Sequence, residues 1–155
     1  MPIYNLYIFN LSCGKCVYYC EFNRRHKTQD FKENNDQVNM LGMCHTLKDF
    51  MQRVATSDSN SSSNNNSGSG KDSFVSYKTS KAKVHYYETP SGIAFVLVTD
   101  PHVGDIRNIL QELHKSVWVE YVAKNPLCDW TQTITSNLFR EKVSDFMKAL
   151  PCYSN

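Results

Sequence analysis

Residues 3–9 read Ile-Tyr-Asn-Leu-Tyr-Ile-Phe, apolar or aromatic at nearly every position. The run is far shorter than the ~20 residues a membrane-crossing helix needs. A short segment that is apolar on both alternating faces suits a central strand covered from above and below. Whatever else the chain does, it has to supply apolar layers on both sides of a sheet.

Asn10-Leu11-Ser12-Cys13-Gly14 provides turn residues, and Lys15 to Phe22 is again β-prone, so the chain opens as a β-hairpin. Asn23 to Asn35 is polar and reads as a loop. Asn35 or Asp36 can cap a helix in which Met40, Cys44, Leu47, Met51 and Val54 recur at helical spacing. Ser59 to Gly70 contains only Ser, Asn and Gly, too little apolar surface to offset the entropy of ordering. Residues 56–72 are therefore expected to be a disordered insertion, its ends close neighbours, within one domain spanning 1–155.

Three strand-like runs follow: Phe74 to Lys78, Lys83 to Glu88, and Ile93 to Val98. The last two flank Thr89-Pro90-Ser91-Gly92, where Pro and Gly supply turn geometry. Asp100-Pro101 is a good helix start. The stripe that follows runs through Val103, Ile106, Leu110, Leu113, Val117 and Val122, widened by Trp118 and Val119, and Asn125-Pro126 ends it. A last helix carries Ile134, Leu138, Val143, Phe146, Met147 and Leu150 and stops at Pro151. The order β-β-α-β-β-β-α-α predicts an α+β fold, a five-stranded antiparallel sheet with helices over its faces.

Composition excludes several functions. Net charge is only +2, from 17 basic and 15 acidic residues, too weak a field to recruit nucleic acid or an anionic membrane by itself. No signal-peptide pattern and no membrane-spanning run is present, so a cytosolic chain with its six cysteines reduced is expected. Cys13-x-x-Cys16 lacks the second close pair of ligands that a zinc site wants, and it falls in a turn rather than at the helix start that activates redox thiols. Cys16 and Cys20, four apart, are expected on one face of a regular strand. No histidine has a partner at a catalytic or metal-binding spacing, although a pair such as Cys128 with His85 could meet only in space. No glycine-rich phosphate loop is present. No catalytic residue, metal or cofactor is therefore expected.

Particular residues carry a family resemblance. Asn5-Leu6-Tyr7-Ile8-Phe9 resembles the opening strand of the TRAPP (transport protein particle) subunit 1 family. The stretch from Lys83 through His85, Tyr86, Tyr87, Glu88, Thr89, Pro90, Ser91 and Gly92 to Ile93 resembles that family's central hairpin. Lys124-Asn125-Pro126-Leu127-Cys128 resembles the break between its second and third helices, and Leu138-Phe139-Arg140 and Leu150-Pro151 resemble its last helix. The resemblance implies a longin, or SNARE-like, arrangement with the first helix on one face and the last two on the other. It also implies a non-catalytic subunit of a vesicle-tethering complex acting between endoplasmic reticulum and Golgi. Such a chain is cytoplasmic and peripheral at those membranes, without inserting into them. Its partners would be other small TRAPP subunits, longin-type and of a second fold. The assembled complex would exchange nucleotide on a Rab/Ypt-type GTPase. The exposed side of the first helix, with Met43, His45, Asp49 and Phe50, is then the candidate partner surface. Competing readings are a small longin-type chain of a clathrin adaptor or coat, and a thiol-dependent enzyme.

Overall fold

In a computed structural model the fold is described for residues 3–22, 30–57 and 76–151. The elements are β1 (Ile3–Asn10), β2 (Lys15–Glu21), α1 (Asp30–Ser57), β3 (Ser76–Lys78), β4 (Lys83–Glu88), β5 (Ile93–Thr99), α2 (Arg107–Leu113) and α3 (Asn137–Lys148), with α2 running straight on into a π-helical stretch (His114–Ala123). The strands form one antiparallel sheet in the order β2-β1-β5-β4-β3. This is the expected fold class. The insertion expected at 56–72 lies outside the described residues except for positions 56 and 57, which are helical and complete α1.

Alternation in the two central strands sorts the core into two layers. Leu6, Ile8, Phe95 and Leu97 point to the face covered by α2, the π-helical stretch and α3. Tyr7, Phe9, Ala94, Val96 and Val98 point to the face covered by α1 through Met40, Cys44 and Leu47. Phe95 is wholly buried and receives Trp118 edge-on, ring centroids 5.8 Å apart; Trp118 in turn meets Phe139 edge-on at 6.1 Å. Such edge-to-face geometry is favoured by the ring quadrupoles.

Four local expectations are corrected. First, α1 begins at Asp30 rather than near Asn35. The stretch Asp30 to Asp36 contains neither Gly nor Pro, so polar residues continue the helix without any apolar period to announce it. Second, Asp100-Pro101 does not start a helix. The Asp100 carboxylate accepts from the His102 N–H at 2.9 Å and from its ring at 2.8 Å, a local turn that competes with a helical start. Val103 and Ile106 pack into the core ahead of α2. Third, Cys16 and Cys20 lie on opposite faces, Cys16 against the α1 layer and Cys20 against the other. Ile8 pairs with Tyr18 but Phe9 pairs with Cys16, so Val17 is a bulge residue and the face parity inverts across it. Fourth, Leu138 is exposed and Phe139 is the buried residue of the first turn of α3, while Ile134 is buried ahead of that helix. The Ile134 N–H donates to the Val17 carbonyl at 2.7 Å, so the bulge ties that segment to the sheet edge.

Beyond Leu113 the helix widens. The Lys124 N–H reaches the Val119 carbonyl, five residues back, at 3.0 Å. The wider turn lets the neighbours Val117 and Trp118 both face the core.

Phe95→Ala is expected to lower unfolding free energy by about 3–5 kcal/mol in a denaturant titration with unchanged slope. A loss under about 1 kcal/mol would show that the Phe95–Trp118–Phe139 stack does not hold the layers together.

Candidate protein-interaction surface

The hairpin from Lys83 to Ile93 is built for stability. His85 is buried on the α2 side, its Nε2 3.0 Å from the Thr99 hydroxyl. That hydroxyl donates to the Asp100 carbonyl, so it accepts from His85. Burial, with Lys83 nearby, pushes the imidazole down to about 4. Tyr86 and Tyr87 face opposite layers, as expected for neighbours in a strand. Glu88 accepts from the Tyr86 hydroxyl at 3.0 Å and pairs with Lys48 of α1, which clamps the helix at this end of the sheet. Thr89 is buried; its hydroxyl accepts from the Ile93 N–H at 3.1 Å and its carbonyl from the Gly92 N–H at 3.0 Å. Pro90 then occupies the second turn position, and Gly92 takes φ 82°, a left-handed conformation that suits glycine. Asn125 Oδ1 accepts from the Leu127 N–H at 3.0 Å, stopping the π-helical stretch before the exposed Pro126. The buried and hydrogen-bonded members of this motif therefore shape the hairpin and its junction with α1.

Among the described residues no group of three or more His, Cys, Asp or Glu could hold a metal. Cys44 is pushed up to about 12 by burial, and burial also raises Cys20 and Cys128. A raised thiol pKa disfavours the nucleophilic thiolate.

Three of the exposed large hydrophobic side chains cluster at the end of α1, whereas Val38, Tyr77, Leu127, Trp130 and Leu138 lie elsewhere. At ~1.5 Å per residue, 28 residues span roughly 42 Å, whereas the eight residues of β1 span about 26 Å. The helix therefore outruns the sheet. Met51 and Val54, expected in the core, are 42% and 44% exposed, and Phe50 is 60% exposed. Met43, Leu47, Phe50 and Val54 follow a 4-3-4 spacing and share one flank. Met43 and Leu47 pack partly against the sheet layer, and Phe50 and Val54 continue the same ridge into solvent. His45 and Asp49 are exposed but lie four apart on another flank. The four candidate residues are thus divided: Met43 is half-buried, Phe50 lies on the exposed ridge, and His45 and Asp49 form a separate polar flank. The missed residues, Met51 and Val54, have ordinary core periodicity. Only the length of the helix against that of the strands reveals their exposure.

An antiparallel sheet with one helix on one face and two on the other, and an apolar helix end projecting beyond it, defines an α+β domain of the longin type. The chain belongs to the Sybindin-like family, whose profile matches residues 3–150. It is 37% identical over 154 residues to a protein named trafficking protein particle complex subunit 1 from Rattus norvegicus, covering 99% of this chain and 97% of that one. The protein of that name from Homo sapiens is 36% identical over the same span and coverage. The one from Dictyostelium discoideum is 37% identical over 153 residues, 99% of each chain.

His85 carries a pH dependence. The unfolded imidazole binds its proton near the ordinary 6.5 and the folded one only near 4. Stability is therefore full above about pH 6.5 and lost as pH falls toward 4. Between pH 7 and 4.5 this removes about 2–3 kcal/mol. His85→Gln is expected to lessen the acid loss by that amount in urea titrations at the two pH values. An unchanged acid loss would mean His85 is not held neutral.

Proposed function

We propose that the chain is a non-catalytic subunit of a TRAPP vesicle-tethering complex in transport between endoplasmic reticulum and Golgi. In this reading it has no activity alone. It contributes to the composite surface on which the complex supports nucleotide exchange by a Rab/Ypt-type GTPase. The observation that carries the proposal is the near-full-length match to relatives named as subunit 1 of that complex. The fold supports it. The family-motif residues shape the domain, and α1 presents an apolar ridge that water does not favour leaving bare. No helix among the described residues is long and apolar enough to cross a membrane, in keeping with attachment through partners.

The contact we assign to assembly is the exposed part of the ridge, Phe50 with Met51 and Val54. Met43 supports it from beneath, and His45 and Asp49 form the polar rim on the neighbouring flank. Buried apolar anchors at the centre of an interface carry most of its free energy, with polar groups around them excluding water.

The test is a pull-down of the tagged full chain, with a Phe50→Asp/Val54→Asp variant beside it. Wild type is expected to recover the other small TRAPP subunits in stoichiometric amounts, with exchange activity toward a Rab-type GTPase. The variant is expected to keep its melting temperature within about 4 °C and to lose recovery at least about tenfold. Equal recovery and exchange by the variant would remove the ridge from the interface. No subunits recovered by wild type would remove the proposal.

A further inference from the structure

A groove of about 300 Å³ runs along the outer edge of β2, at the far side of the sheet from β3 and away from the exposed ridge of α1. Tyr18 forms part of its floor. Cys16 and Tyr19 of β2, Gln37 of α1, Arg140 of α3, and Thr133 and Ile134 complete its lining. The volume is at the lower end of what ligand sites enclose.

Three observations decide what fits. The first is that this edge already accepts a backbone donor from outside the sheet: the Ile134 N–H takes the Val17 carbonyl at 2.7 Å, beside the bulge. The second is that, Arg140 apart, the lining side chains carry no charge and several of them are polar. The side chains of Gln37 and Thr133 make no hydrogen bond within the described residues, so an amide and a hydroxyl face the groove ready for a peptide backbone. The Tyr18 ring packs edge-on against Phe139, and its buried hydroxyl meets no partner of good geometry, with the Cys20 thiol close enough to interact weakly and the Arg140 charge nearby. The third is Arg140. It is exposed and pairs with no carboxylate among the described residues. As the fourth residue of α3 it sits near the positive end of that helix, where a cation is electrostatically disfavoured and an anion favoured. An anion brought to that place would find both the guanidinium and the helix N-terminus favourable.

We propose that this groove binds an extended, carboxylate-bearing segment of a neighbouring protein subunit. The carboxylate rests on the Arg140 guanidinium, and the segment's backbone takes hydrogen bonds from Gln37 and Thr133. One cation among neutral walls matches a single acidic side chain in an otherwise neutral strand, and it is too little charge for a nucleic acid backbone or an anionic lipid surface. Arginine suits the task because its planar fork can hold a carboxylate through two parallel hydrogen bonds. The inference rests on the reading of the chain as a complex subunit, but it concerns a second surface, separate from the α1 ridge.

The test places the photocrosslinking residue p-benzoylphenylalanine at position 133 of the full chain, reconstituted with its companion small subunits, and identifies the crosslinked peptide by mass spectrometry. The expected result is one dominant crosslink to a partner segment that carries Asp or Glu. Arg140→Glu is expected to reduce it at least about tenfold at unchanged melting temperature, and Arg140→Lys to restore part of it. An intact wild-type assembly that gives no crosslink overturns this inference and leaves the functional reading standing. So does a crosslink to a segment without carboxylates, or one indifferent to Arg140→Glu. Failure of wild type to assemble at all overturns both.

Discussion

Burial on both faces of β1 and β5 positions everything else. These two strands lie at the centre of the sheet, and their alternating side chains belong to two separate apolar layers. A sheet of this kind is stable only if each face is covered. One face takes α1, and the other takes α2, the π-helical stretch and α3. The Lys48–Glu88 pair and the tie between Ile134 and Val17 then fix where those covers sit along the sheet. What the covering leaves exposed includes the part of α1 that extends past the sheet and the strip beside the β2 edge.

The architecture was legible because its cause is short-range periodicity. Strands as apolar as Ile3–Phe9, and a turn as specific as Thr89-Pro90-Ser91-Gly92, declare themselves in single-sequence patterns. The misreadings share one origin, a contact that periodicity does not encode. Nothing in Lys15–Glu21 announces that Val17 is an extra residue, yet that bulge decides which layer Cys16 enters. Asp100 resembles a helix cap, but its carboxylate is taken by His102. Leu138 and Phe139 are adjacent candidates for one buried position, and only the packing against Tyr18 and Trp118 selects Phe139.

The candidate surface was half legible for the same reason. Phe50 stood out beside the core stripe of α1, whereas Met51 and Val54 carry the same periodicity as residues that are buried. Their exposure follows from comparing the length of a helix with the length of the strands beneath it, a property of the assembled fold. The residues most recognisable as family features, His85 to Gly92, shape the hairpin and clamp α1. Their hydrogen bonds and packing account for them as builders of the fold.

The most direct measurement is hydrogen–deuterium exchange on the full chain, alone and in reconstituted complex with the other small subunits. Assembly through the projecting end of α1 predicts that amides from Leu47 to Val54 exchange more slowly in the complex, by at least about tenfold, while those of β1 and β5 stay equally protected. Unchanged exchange in that stretch, with new protection confined elsewhere, would contradict it.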